Sequence, residues 1–164
     1  MSKPSGLQLA TSVIVVAGVD LASKAAAPAL AERTSLVVAP VGNSALSLQL
    51  VDLARWTEVA VMAAVLLGLA VLGLRLVVRG LLPVWAAALV LGGSLGNLVD
   101  RAVLGAVRDF LLVGQVVLNL ADVAVAAGLA VTVLCLWPRQ AGDHPELRVA
   151  EQPPAAPLYP VGRG

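Results

Sequence analysis

One cysteine, one histidine, one tyrosine and one phenylalanine occur in 164 residues, and only 13% of the chain is charged. Each scarcity removes a class of protein. The lone Cys135 lies in an apolar run and can form neither an intramolecular disulfide nor a thiolate metal cluster. The single histidine, His144, falls in the C-terminal segment, so the body of the chain has no base for a serine or cysteine nucleophile. A Gly-x-Ser-x-Gly elbow is also missing, and a metal site would lack its usual His and Cys ligands. Eleven Lys and Arg against ten Asp and Glu leave a net charge of +1, which offers no basic surface, so no nucleic-acid partner is expected.

What the chain has in abundance is hydrocarbon: 59% of residues are hydrophobic and the mean hydropathy is +0.92. Four apolar segments, approximately Leu7 to Ala27, Val59 to Val78, Leu81 to Val103 and Leu120 to Trp137, are each long enough to cross a bilayer as a helix. The expected fold is therefore an all-α integral membrane protein, a four-transmembrane-helix bundle forming a single domain over residues 1–137. Arg75 and Arg79 make the turn between the second and third spans basic, which places it in the cytoplasm. An even number of spans then puts both termini in the cytoplasm, in keeping with Lys3, Arg139 and Arg148, although Arg33, Arg55, Arg101 and Arg108 fall on the outer side. Between the first two spans, Glu32 to Arg55 is more polar and is interrupted by Pro40, Gly42, Asn43 and Ser44. Alternating stretches at Ser35 to Val38 and Leu46 to Leu50 predict short strands on the outer membrane face. From Pro138 onward six prolines fall among polar residues, which predicts a disordered cytoplasmic tail over 138–164.

Ionisable groups within such segments are costly, so each one needs a reason. Asp20 and Lys24 stand at i and i+4 on one face of the first span and can neutralise each other. The same span, with Lys3 before it and small residues at Ala25 to Ala27, also has the form of a secretory signal peptide, against which the internal acid and base argue. In the third span Gly92 and Gly96 make a small-xxx-small pair that admits a neighbouring helix. No strand precedes them and no Lys-Ser or Lys-Thr follows, so they do not form a phosphate loop. Asn97, Asp100 and Arg101, at i, i+3 and i+4, present an amide, a carboxylate and a guanidinium on one face, either to fix helix register or to support chemistry.

Asp109 follows in what reads as a loop, where a solvated carboxylate is the plain alternative to a catalytic one. Asn119 and Asp122 have the spacing of a capping box, sufficient by itself to account for both. Placed opposite each other at the membrane surface, Asp109 and Asp122 could instead share one proton, one carboxyl activating water while the other donates to a scissile carbonyl. That chemistry needs no metal and no cofactor.

Taken together, Gly92-Gly93-Ser94-Leu95-Gly96-Asn97-Leu98-Val99-Asp100-Arg101, Asp109-Phe110 and Asn119-Leu120-Ala121-Asp122 resemble the Gly-Gly-x-x-Gly-Asn-x-x-Asp-Arg, Val-Asp-Phe and Asn-x-Ala-Asp elements of the lipoprotein signal peptidases. Asp20 and Lys24 resemble the family's first-helix pair, and the resemblance extends to about Trp137. It implies a bacterial inner-membrane aspartic peptidase with its active site near the extracytoplasmic face and a small β-cradle between helices 1 and 2. The implied substrate is a diacylglyceryl-modified prolipoprotein, cut before the modified cysteine in contact with membrane lipid, and the implied inhibitors are globomycin-type peptides. On this mapping Asp109 and Asp122 are the catalytic dyad, supported by Asp20, Lys24, Asn97, Asp100, Arg101 and Asn119. The chain departs from the family pattern at Val41 to Ser47, where Asn43 aligns with a glycine, and at Arg108, a cation in place of an apolar residue that is expected to act on Asp109. An inactive relative serving as a membrane scaffold, or a small proton-coupled transporter, would carry many of the same residues.

Overall fold

The computed structural model describes residues 5–35, 37–43 and 55–137. The expected strand at Leu46 to Leu50 and the expected tail over 138–164 lie outside these residues. Among the described residues, four helices and three short strands follow in the order α1 (Gly6–Ala31), β1 (Val37–Asn43), α2 (Arg55–Val78), α3 (Val84–Leu104), β2 (Val107–Val113), β3 (Val116–Leu118) and α4 (Leu120–Leu136). Helices α1, α2 and α3 are long and apolar enough to cross a membrane, and α4 is a shorter apolar helix of 17 residues.

The helix ends follow from local chemistry. Ser5 opens α1 with a capping box: its hydroxyl accepts from Gln8 N at 3.2 Å while Gln8 Oε1 accepts from Ser5 N at 2.9 Å. The helix then continues a turn beyond the expected Ala27, through Pro28, which cannot donate to the Lys24 carbonyl. It passes without a break through Ala25 to Ala27, and Ala27 is fully buried. Helix α2 starts a turn earlier than Val59 because Arg55 to Glu58 form its first turn, with Glu58 at the positive end of the helix dipole. It closes with Gly80 N donating to Val77 O and Leu81 N to Leu76 O, the paired reverse bonds that end a helix in a tight turn. Pro83 keeps the residue before it out of helical geometry, so α3 begins at Val84 and not at Leu81.

Helix α3 is the centre of the bundle, packed against α1, α2 and α4. Its glycines make this possible. A Cβ on Gly92 would lie 2.6 Å from Val16 Cβ of α1, and one on Gly96 would strike the Asp20 carboxylate, so the Gly92/Gly96 face receives α1 as its spacing predicts. Gly93 faces the other way, where a Cβ would lie 2.6 Å from the Ala121 carbonyl oxygen of α4. Because the obstruction is backbone and cannot rotate aside, Gly93→Ala is expected to destabilise the protein by about 1–3 kcal/mol, seen as a lowered melting temperature in detergent. An unchanged melting temperature would mean that α3 and α4 can separate without loss.

The apolar core, built on Leu9, Val77, Leu82, Ala86, Ala87, Ala88 and Leu91, occupies the end of the bundle near the α2–α3 turn. Outside it the helices present large apolar side chains outward: Ile14 is 68% exposed, Leu67 67% and Leu134 75%. In α2 only Gly73 and Val77 are buried. Such a surface is stable where hydrocarbon, not water, covers it.

At the opposite end lies an antiparallel sheet of order β1-β2-β3. Strands β2 and β3 form a hairpin closed by the two residues between Val113 and Val116. Strand β1, at the edge of the sheet among the described residues, adds to β2 with an irregularity between Val37 and Val41 that includes Pro40, a residue tolerated at such irregularities. Among the described residues the segment between α1 and α2 supplies β1, and the stretch between α3 and α4 supplies β2 and β3. The sheet corrects one expectation. Asp109, expected in a loop, is a residue of β2 opposite Val41.

Candidate active site

Ion pairs within and between the helices gather at the end of the bundle beneath the sheet. Asp20 and Lys24, one turn apart on α1, meet at 2.7 Å with both side chains buried. Lys24 Nζ also donates to Asn97 Oδ1 at 2.8 Å and lies 3.3 Å from Asp100 Oδ2, so α3 supplies two of its three acceptors. The ammonium thus lies among three oxygens, one hydrogen-bonded and two carboxylate oxygens at ion-pair distance, which offsets the cost of its burial. The remaining oxygen of Asp20, Oδ1, accepts from Ala121 N at 2.8 Å in the first turn of α4, where the helix dipole favours an anion. Arg101, also buried, pairs with Glu58 of α2 at 2.8 Å.

Asn97 passes the network onward. With its oxygen held by Lys24, its Nδ2 donates to Asp122 Oδ1 at 3.0 Å. Asp122 is also half of a capping box: Asn119 N donates to its Oδ2 at 3.1 Å, and its own N donates to Asn119 Oδ1 at 3.0 Å. Capping is therefore real, yet it does not exhaust Asn119. That residue is fully buried, and its Nδ2 donates to Asp109 Oδ1 at 2.6 Å. Asn119 thus reaches both carboxyls, that of Asp109 through its side-chain Nδ2 and that of Asp122 through its main-chain N.

The site opens on one side only partly. Asp109 is buried beneath the sheet, while Asp122 and Asn97 form the polar end of a groove of about 530 Å³ between α2, α3 and α4, walled by Val61, Val65, Leu69 and Leu129 among others. A chain that entered the groove would meet apolar side chains along its length and the carboxylate at its end.

Arg108 turns its side chain to Asp100. Neighbouring residues of a strand point to opposite faces, and the Arg108 guanidinium clasps Asp100: Nη2 to Oδ1 at 2.7 Å and Nε to Oδ2 at 3.3 Å, with the Arg108 main-chain N on Oδ2 at 3.1 Å. The hydrogen bond to Asp100 holds the Arg108 guanidinium above its already high pKa. Among the described residues no group of three or more His, Cys, Asp or Glu side chains is arranged to hold a metal ion.

A sequence model of signal peptidase II matches residues 12–138. The chain belongs to the signal peptidase II family. A lipoprotein signal peptidase of Methylobacterium sp. (strain 4-46) is 35% identical over 161 residues, covering 84% of this chain and 92% of that protein. Those of Methylorubrum extorquens (strain PA1) and Brevibacillus brevis are 44% identical over 87 residues and 36% identical over 83, and the chain spans only about half of each, 50% and 56%. A solved structure described as a bacterial membrane enzyme shares the fold, with a TM-score of 0.63 at 17% identity over 84% of this chain and 97% of that one.

All eight residues singled out on the resemblance to signal peptidase II fall at this end of the bundle. Seven, Asp20, Lys24, Asn97, Asp100, Asp109, Asn119 and Asp122, join through the contacts above or through Arg108. Arg101 stands beside them on its own pair with Glu58. Sequence reasoning did not pick out Glu58, although an acid in the first turn of an otherwise apolar span was a signal that it had a buried partner.

Proposed function

We propose that the chain is a membrane aspartic endopeptidase that removes the signal peptide from bacterial prolipoproteins, cutting before the diacylglyceryl-modified cysteine, with Asp109 and Asp122 as the catalytic dyad. The observation that carries this reading is buried Asn119, whose side-chain Nδ2 donates to the Asp109 carboxyl and whose main-chain N donates to the Asp122 carboxyl beside an apolar groove. A pair of carboxyls held by one rigid neighbour can share a proton, and that is the arrangement needed to activate water and a carbonyl together.

In the reaction one carboxylate takes a proton from water as the water oxygen attacks the carbonyl carbon before the lipidated cysteine. The other carboxyl gives its proton to the carbonyl oxygen, and a tetrahedral diol results. Collapse of the diol breaks the C–N bond, returns one proton to the dyad and passes one to the departing amine. The products are the signal peptide's carboxylate and a free lipidated amino terminus. The groove lined by Val61, Val65 and Leu129 would hold the apolar part of the signal peptide, and Asn97 and Lys24 would hold Asp122 in place.

The topology that fits this reading has α4 as a fourth span, about 25 Å long at 1.5 Å per residue, and both termini in the cytoplasm. The sheet then forms a cradle at the extracytoplasmic surface beside the dyad, and the basic Arg75–Arg79 turn lies opposite. Trp56 at the start of α2, on one side, and Trp85 and Trp137 on the other are largely exposed, as side chains at the two membrane interfaces are.

Purified protein in detergent is expected to cut a lipidated lipobox peptide once, before the modified cysteine, with full activity in chelator and none in excess globomycin. Absence of cleavage, or cleavage abolished by chelator, would overturn the reading.

A further inference from the structure

The network described above has one member that the proposed dyad does not use directly and that differs from the family's sequence pattern. Arg108 binds Asp100 through two guanidinium nitrogens and through its own main-chain N, so both the side chain and the backbone of one β2 residue are tied to the last turns of α3. Asp100 is buried and Arg108 is only partly exposed, which makes this a forked, charge-assisted contact shielded from water on the carboxylate side. Asp109 is the next residue. Because successive side chains of a strand project to opposite faces, fixing Arg108 against α3 fixes the rotation of the pleat and directs Asp109 the other way, to Asn119.

We propose that Arg108 is a positioning residue for the peptidase reaction: its grip on Asp100 holds β2 so that the Asp109 carboxyl meets Asn119 in register with Asp122. The proposal rests on the peptidase reading of the dyad.

Two further observations support it. The contacts from Arg108 continue without interruption through Asp100 to Lys24, from Lys24 to Asn97 and from Asn97 to Asp122, so the strand carrying one aspartate is braced against the residues that hold the other. The charges also balance. Asp20 and Asp100 are two buried carboxylates against the single ammonium of Lys24, and the Arg108 guanidinium supplies the second positive charge. An apolar residue at 108 would leave that cluster with a formal excess of one negative charge beside the dyad, a costly arrangement in a buried site.

The test compares Arg108→Leu and Arg108→Lys with the parent chain. Arg108→Leu is expected to lower kcat about tenfold with KM changed by less than about twofold, since the substrate groove is untouched while a catalytic carboxyl is misplaced. Arg108→Lys should recover part of the loss, because an ammonium reaches Asp100 without the forked geometry. A kcat of Arg108→Leu within about twofold of the parent, or a rise in KM at unchanged kcat, overturns the proposal. A second measurement does not depend on activity. Hydrogen exchange followed by mass spectrometry is expected to show faster exchange of the β2 amides in Arg108→Leu, with the α3 amides unchanged. Unaltered β2 exchange overturns the clamp. If the parent chain cuts no lipidated peptide, the peptidase reading fails, and the exchange result alone then decides whether Arg108 holds the strand.

Discussion

Asp109→Asn and Asp122→Asn are each expected to lower kcat/KM for a lipidated prolipoprotein by at least about a thousandfold, because the one carboxyl that remains cannot be proton donor and proton acceptor at once. At 109 an asparagine retains an oxygen for the Asn119 Nδ2 that now lies 2.6 Å away, so the contact survives. At 122 both carboxylate oxygens accept N–H groups, one from Asn97 Nδ2 and one from Asn119 N. An asparagine can offer only one acceptor there and must turn its own NH2 toward a donor, at a cost of about 1 kcal/mol. Asp122→Asn should therefore melt below the parent in detergent, and both variants should be inactive. Retention of more than about a tenth of parental activity in either variant would exclude the dyad chemistry. A transporter would instead lose ion flux in these variants, and a scaffold would lose neither function.

The apolar helices were legible because the hydropathy of a long run survives errors of a few residues at its ends. The ends themselves moved for local reasons that only geometry reveals, as at Pro83, which delayed α3, and Pro28, which α1 absorbed. The Asp20–Lys24 pair and the Gly92/Gly96 face were readable from helical spacing alone. Strand β2 was not. Val107 to Val113 is too short and too apolar to display a two-residue alternation, and its pairing with β1 joins segments more than sixty positions apart. Missing the strand had a further consequence at Arg108, since a loop gives no reason for adjacent side chains to diverge, whereas a strand requires it. The capping box at Asn119 and Asp122 was visible in sequence, but only its local half; the contacts of Asn119 with Asp109 and of Asp20 with the first turn of α4 are long-range and leave no spacing signature.

Lys24→Met is expected to be the most destabilising of the substitutions considered, by about 3–5 kcal/mol. Lys24 is 1% exposed, and its ammonium is shared by Asp20, Asp100 and Asn97. Methionine fills much of the same volume, so the loss arises from charge and not from a cavity. Asp100 keeps Arg108, whereas Asp20 loses the cation 2.7 Å from its Oδ2 and keeps only the Ala121 amide on Oδ1. The expected readout is a fall in melting temperature on the order of 10 °C in detergent. Replacing the stranded carboxylate as well, in Asp20→Asn with Lys24→Met, should restore much of that stability by removing the uncompensated charge. Activity should not return with it, because Asn97 still lacks the donor that fixes its oxygen and therefore the orientation of the Nδ2 that holds Asp122. Recovery of stability without recovery of kcat would separate the two roles of this lysine. A Lys24→Met protein that melts like the parent would show that the buried ion pair contributes nothing to the bundle, and the network would have to be reassigned to register alone.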